Sequence, residues 1–549
     1  ASCRTQPVMA TELGNHAYDA ELDDVSATGR AAASEVRRRS RASLAAIDRV
    51  ALSRDSQVDA AMLSDQLAGQ AFAEERLQDW AWDPLTYSDL TGGALYSLMA
   101  RDFAPLADRL ISAASRMEKM PALLEQTRDA LEAQRVPDIH AQTYSRQHAG
   151  VLSIIDQLIL PRADALGSVN RARLLAATES ARAAVAEHQS WIDRDLVPRA
   201  KGDFRIGAAL FDEKLKLSLS SSMPREELRQ RAQADMERLR AEMFDISRTL
   251  LASQGGTSPA PPAATEKQKQ AAIQSALELA YAERPPREQM FAEARRTLET
   301  TTAFVRQHDI ITLPDAPVKV IEMPVFQQGV AVAYCDSPGP LDRGMDTFYA
   351  VSPIPAGWSE AQTSSFLREY NSRSIDELTI HEAMPGHYVQ LWHANKHPSV
   401  LRAVLGSGTF IEGWGCYAED VMSEIRDPDG DPLRRLINLK WALRSTSNAL
   451  LDQGVHVEGW NEEDAMRFMT EAAFQEEREA AGKWTRARLS STQLSTYYLG
   501  WIEHHALRHE AKVRWGAGFS LKRYHDAALS HGSPPVRLAR ALMFGEVIA

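Results

Sequence analysis

The stretch HEAMPGH, His381 to His387, sets an imidazole and a carboxylate side by side and a second imidazole six residues on. Imidazole is a metal ligand and a proton carrier, and a carboxylate beside it can act as a base. In a regular helix residues i and i+4 share a face, which is how the pattern H-E-x-x-H offers two nitrogens to one zinc ion. Here Pro385 stands at the i+4 position. Six residues turn an ideal helix by about 240° and advance it by about 9 Å. His381 and His387 therefore cannot share an ion on an unbroken helix. Pro385 breaks the hydrogen-bond ladder, and Gly386 permits backbone angles that other residues avoid. The stretch reads as the metal pattern with a two-residue insertion. It predicts a distorted turn that returns His387 to the metal.

A catalytic zinc site needs a third protein ligand and an open position. EGWGCYAED begins at Glu412, thirty-one residues after His381. Glu412 and Glu419 are seven apart, so they fit one helix face. The stretch resembles the second metal helix of the gluzincins, where an E-G-aromatic segment supplies a glutamate ligand. By that resemblance His381, His387 and Glu412 hold one Zn2+, and Glu419 orients a histidine from behind. Glu382, beside His381, is placed to take a proton from a water on such an ion. Other matches are weaker. Glu458-Gly459-Trp460 repeats EGW but leads into Asn461 and three acids, a helix start. His393 and His397 have i, i+4 spacing but precede Pro398 and lack a carboxylate neighbour. His504 and His505 are adjacent, so at most one faces a cleft. Cys416 reads as a buried thiol rather than a nucleophile.

These residues need elements to hold them. The first three hundred residues are rich in Ala, Leu, Glu, Arg and Gln, which favour helix. After Pro224, the residues Leu228, Ala232, Met236, Leu239, Met243, Ile246 and Leu250 form one apolar stripe at helical spacing. That helix ends before SQGGTSPAPPAATEK, residues 253–267, a loop by composition. Near residue 311 the character changes. VKVIEMP (318–324), GVAVAYC (329–335) and TFYAVS (347–352) are β-branched and aromatic, and turn residues bound them. Helix returns near Ser359. Ten of the fifteen histidines lie from residue 381 onward, which points the chemistry to the C-terminal half. The expected architecture is mainly α and two-lobed: a helical lobe over 1–310, and a catalytic lobe over 311–549 with a small sheet beside the site.

The chain has 549 residues, 44% hydrophobic and 25% charged, with a formal charge of −12. That length suits two to four domains or one large helical body. The acidic balance argues against nucleic acid as a partner. Three cysteines without C-x-x-C spacing indicate neither a disulfide framework nor a thiolate zinc site. No apolar run is long enough to span a membrane. The opening Ala-Ser-Cys resembles the end of a bacterial lipoprotein signal, with Cys3 as the lipidated residue.

Larger stretches also match a known group. EMPVFQQGVAVAYCDSPGPLDRGMDTFYAVS (322–352), HEAMPGHYVQ (381–390), EGWGCYAE (412–419), QLSTYYLG (493–500) and GAGFSLKRYHDAALSHGSPP (516–535) resemble the bacterial domain-of-unknown-function 885 family. This is a set of predicted gluzincin-type metallopeptidases, many described as lipoproteins. Tyr524 replaces the usual phenylalanine before His525. The resemblance implies a neurolysin-like helical fold, one zinc ion, hydrolysis of peptides, and a place in the bacterial envelope or periplasm. Gluzincins hold the peptide as an added strand, so GVAVAYC, which contains Tyr334, or TFYAVS is the implied cradle. Tyr497, in the pattern Q-x-x-x-Y-x-x-G, and His525 are the implied oxyanion donors. Arg508 or Arg537 is the candidate receptor for a substrate carboxylate. Two other readings stay open: the same site acting on another amide or ester, and an inactive lipid-anchored binding protein.

Overall fold

Helix formers in long amphipathic runs give a chain that is mainly α-helical, with a small three-stranded mixed sheet. The computed structural model describes residues 2–253, 264–324, 327–328, 331–426 and 430–548. Contacts divide the chain into two compact units. The first is Ala1–Phe204 with Pro324–Gln328 and Ser337–Thr347; the second is the remainder. The composition change near residue 311 marks where the sheet begins, whereas the contact boundary lies after Phe204.

In the first unit, α1 (Leu106–Ala130) and α2 (Ser168–Trp191) pack along their apolar faces. Leu110, Met117 and Leu124 of α1 meet Leu174, Ala181 and Val185 of α2 in one buried cluster. Arg116 is fully buried there, and its guanidinium donates to the Glu21 and Ala94 carbonyls and to Thr11 Oγ1.

In the second unit, α3 (Arg225–Ser253) carries the apolar stripe. Leu228, Ala232, Met236, Leu239, Met243 and Leu250 are buried, and Ile246 packs at the edge. Each fully buried Leu or Met contributes about 1.5–3 kcal/mol. The loop expected after α3 lies largely outside the described residues. Thr265 then caps α4 (Glu266–Tyr281) with a reciprocal Gln268 bond, and α5 (Met290–Gln307) follows. The sheet has β1 (Lys319–Glu322), β2 (Ala333–Asp336) and β3 (Phe348–Val351) in the order β1-β3-β2. β1 runs parallel to β3 and β2 antiparallel.

Behind the sheet lies α6 (Ser372–Glu382), buried from Ser374 to its end. Tyr349 of β3 and Thr297 of α5 both hydrogen-bond to Thr379 of α6, at 3.3 and 2.7 Å. Around α6 stand α7 (His387–Ala394), α8 (Gly408–Arg426), α9 (Pro432–His456), α10 (Glu477–Leu489), α11 (Ser495–Trp515) and α12 (Leu521–Leu529). The second EGW is structural: Asn461 caps the short helix that follows, and the Trp460 ring lies against Gly454.

Candidate metal centre

Asn371 accepts from the backbone N–H groups of Arg373 and Ser374 and so starts α6. The helix stops at Glu382. Met384 N–H then donates to Thr379 O at 3.1 Å, and Gly386 N–H to Ile380 O at 2.9 Å. The Met384–Pro385 peptide is cis. A Cβ on Gly386 would lie 1.9 Å from the His381 carbonyl oxygen, so this close approach admits glycine alone. Trp414, the aromatic of EGW, donates its indole N–H to the Pro385 carbonyl at 2.9 Å. The insertion thus closes a turn, and α7 begins at His387. The His381 and His387 rings stand 4.6 Å apart and nearly perpendicular, at 82°.

α8 and α11 cross where Gly413 meets Gly500. A Cβ on Gly413 would fall 2.3 Å from the Gly500 backbone, and one on Gly500 would fall 2.0 Å from the Thr409 carbonyl. This crossing sets Glu412 beside Tyr497. Gly415 is equally constrained, because a Cβ there would lie 2.5 Å from the His381 ring.

Among the described residues, two groups of side chains could hold a metal ion: His381, His387 and Glu412, and His381, Cys416 and Glu419. Distances separate them. Glu412 Oε2 lies 3.5 Å from Nε2 of His381 and 3.5 Å from Nε2 of His387. Two ligands about 2.0–2.1 Å from a tetrahedral zinc ion are themselves about 3.3–3.4 Å apart. The first group fits such an ion. In the second, His381 Nδ1 is 2.6 Å from Glu419 Oε1, too short for two ligands of one ion and right for a charge-assisted hydrogen bond. Burial and the Glu419 charge push the Cys416 thiol up to about 11, and its sulfur lies 3.4 Å from Ser445 Oγ. Glu419 therefore meets His381 at the nitrogen that does not face Glu412. Among the described residues His387 has no such partner, and its Nδ1 is buried without a hydrogen bond.

Burial alone would raise the Glu412 carboxyl, but bonding to His381 and His387 outweighs it and holds the group well below the usual carboxylate range. Glu412 is 22% exposed, against 9% for His381 and 11% for His387, so the ligand group is reached from the Glu412 side. Glu382 is buried beside both histidines. Burial raises its pKa, and the Cys335 backbone N–H bonds to its carboxylate. That contact follows from the sheet register. Ser352 N–H donates to Val332 O, so the ladder alternates and leaves Ala333 and Cys335 with peptide groups turned away from β3.

The other predicted residues are not all brought to this place. The Tyr497 ring is 6.3 Å from that of His381. Its hydroxyl accepts from Arg486 Nη2 at 2.8 Å and from Gln493 at 3.5 Å. With both bonds accepted, its own proton can point elsewhere. His525, by contrast, is committed within the core. Its Nδ1–H donates to the Ile310 carbonyl at 2.8 Å, and Nε2 accepts from Tyr417 at 2.8 Å. It has no N–H left for an oxyanion, and burial pushes it down to about 3. Arg508 is paired with Glu424 at 2.7 Å, and Arg537 donates to the Ser220 carbonyl at 3.2 Å. Tyr334 sits on β2 opposite Ala350. Among the histidines set aside, His393 bonds the Thr312 carbonyl, His504 the Phe410 carbonyl and His505 Asp420. Arg486 was invisible in the sequence: one arginine among several on an ordinary helix. Trp414 and Gly415 lie inside EGWGCYAE but are read there as mere motif letters.

The family model described as "Bacterial protein of unknown function (DUF885)" matches residues 7–543. The chain belongs to this family. A solved structure from Shewanella oneidensis is 32% identical, with a TM-score of 0.81 over 99% of this chain and 97% of that one. Another, from Colwellia psychrerythraea, is 17% identical with a TM-score of 0.79 over 99% and 96%, a likeness of fold alone. Each is described as a "putative lipoprotein", the first as one of unknown function. No curated protein matches the chain. The family description states no activity, so the chemistry rests on the side chains themselves.

Proposed function

We propose that this DUF885 protein is a zinc-dependent peptidase. The observation that carries the reading is the convergence of His381 Nε2, His387 Nε2 and Glu412 Oε2, with the Glu382 carboxylate next to them. A zinc ion held by those three side chains supplies a Lewis acid that acidifies water and polarises a carbonyl. Glu382 takes the proton of the attacking water and returns it to the leaving amine. Its raised pKa suits the second duty, and the two neighbouring histidines favour the anion that the first requires. Tyr497, held by Arg486 and Gln493, donates its hydroxyl proton to the oxyanion. The outward peptide group of Ala333 on the edge strand β2 offers backbone partners to an extended substrate, with Tyr334 alongside.

The test joins metal analysis to hydrolysis. Purified wild type is expected to hold one zinc per chain, and Glu412→Ala to lose it. Glu382→Gln is expected to keep zinc and to lose at least about 100-fold in peptide hydrolysis. Zinc retained in Glu412→Ala, or hydrolysis unchanged in Glu382→Gln, overturns the reading. Wild type that holds zinc but cleaves ester or non-peptide amide libraries and no peptide moves the same machinery to another substrate.

We further propose an envelope location with a lipid on Cys3. No helix among the described residues is long and apolar enough to cross a membrane, and Cys3 is unpaired and partly accessible. Mass spectrometry of the natively expressed protein, with and without Cys3→Ser, tests it; an unmodified Cys3 overturns it.

A further inference from the structure

Helix α10 brings Glu479, Lys483 and Arg486 to one face, at i, i+4 and i+7. Around them lies a buried charge cluster. Arg444 pairs with Glu479 at 2.6 Å, and Lys440 with Glu369 at 2.7 Å. Tyr370 adds its hydroxyl to Glu479 at 2.8 Å. The two acids are therefore each matched by a cation. Two cations are left over. Lys483 Nζ is buried with no hydrogen-bond partner among the described residues, and burial with the neighbouring Arg444 pushes its pKa well down. An amine in that place sheds its proton and its charge.

Arg486 has no such escape, because a guanidinium stays protonated. Both of its hydrogen bonds, to Gln493 at 2.8 Å and Tyr497 at 2.8 Å, use Nη2 and go to neutral groups. No carboxylate among the described residues comes within ion-pair distance of it. Tyr497 first, and after it Glu412, the most accessible member of the ligand group, favour the charged form of Arg486. It also keeps accessible surface of its own. A part-buried charge without an ion-pair partner gains from one that a ligand brings. Here the unmatched charge lies one tyrosine away from His381, with Nε–H and the Nη1–H groups left to donate charge-assisted hydrogen bonds to a carboxylate.

We propose that Arg486 is the receptor for a substrate carboxylate, so that the site selects peptides presenting a negative group close to the bond that is cut. The proposal rests on the peptidase reading for the word substrate. The carboxylate comes from a free chain end, which makes the enzyme a carboxy-terminal exopeptidase, or from an acidic side chain next to the scissile bond. Arg508 and Arg537, which the sequence offers for this duty, are occupied by Glu424 and by the Ser220 carbonyl.

The experiment separates binding from cleavage. Synthetic hexapeptide mixtures are made as free acids and as C-terminal amides, each with and without Asp and Glu. Zinc-loaded Glu382→Gln protein is used to capture them, with bound peptides read by mass spectrometry. The expected result is at least a tenfold enrichment of carboxylate-bearing peptides. Enrichment of free acids over amides identifies the chain end; enrichment of Asp- and Glu-containing amides identifies the side chain. Adding Arg486→Gln is expected to abolish the enrichment and Arg486→Lys to keep part of it. Zinc content and the unfolding midpoint of each variant show that it is folded. Equal capture of all four mixtures, capture of none, or enrichment that survives Arg486→Gln overturns the proposal. If the enrichment appears and wild type cleaves no peptide, Arg486 keeps its role and the peptidase reading falls.

Discussion

Trp414 donates its indole N–H to the carbonyl oxygen of Pro385 at 2.9 Å, and both residues are buried. The bond ties the helix that carries Glu412 to the turn that returns His387. Trp414→Phe keeps most of the apolar volume and strands the Pro385 carbonyl. A buried acceptor left without its partner costs about 1–3 kcal/mol. Urea unfolding of metal-free protein is expected to show that loss, and zinc competition against a chelator a weaker site. Unaltered zinc affinity would show that the turn holds without the bond.

Glu419 bonds His381 Nδ1 at 2.6 Å, while His381 Nε2 faces Glu412. Glu419→Gln keeps the shape and removes the charge. Removal of such a supporting carboxylate typically costs about 10–100-fold in metal affinity. A chelator competition in which Glu419→Gln falls by that amount, while Cys416→Ser is unchanged, supports the ligand group with Glu412. The reverse pattern would move the ion to the side of Cys416 and Glu419.

Gly415 faces the His381 ring, and a methyl group there would lie 2.5 Å from it. Gly415→Ala must push the ring out of place, yet alanine suits a helix interior. Zinc binding is therefore expected to fail by more than tenfold with little change in helix content by circular dichroism. Gly386→Ala meets backbone carbonyls instead, at 1.9 Å from the His381 oxygen, and is expected to impair folding itself. A Gly415→Ala protein that binds zinc normally removes the claim.

His504 and His525 lie buried in the core, and burial pushes them down to about 4 and about 3 from an ordinary value of 6.5. For a histidine with a lowered native pKa, the unfolded chain takes up the proton first. Stability is constant above about pH 6.5 and falls as pH drops from there toward the native values. Each residue then costs about 2 kcal/mol by pH 5. His525→Asn keeps a donor for the Ile310 carbonyl and cannot titrate. Its loss of stability between pH 7 and pH 5, by urea unfolding, is expected to be smaller than that of wild type by about that amount. Identical slopes would contradict the assignment.

Residue types and local spacing already determine a good deal. Helical periodicity over Leu228 to Leu250 names the face that α3 buries, because side chains four apart share a side whatever the rest of the chain does. Pro385-Gly386 forbids one continuous helix through HEAMPGH, and the observed break between Glu382 and His387 follows from that local rule. The seven-residue step from Glu412 to Glu419 likewise puts two carboxylates on one side of α8. Tertiary packing decides what those faces meet. The Gly413–Gly500 crossing brings Tyr497 to His381, and no pattern inside either helix records the partner or the distance. His525 and Arg508 have the right chemistry for the duties their sequence context suggests, but Ile310, Tyr417 and Glu424 satisfy them first. Arg486 has an unremarkable sequence context and gains its importance because every nearby carboxylate is matched by another cation or belongs to the metal group. Local sequence sets which groups a segment can present; long-range packing sets which of them are left unsatisfied, and those are the groups available to a metal or a substrate.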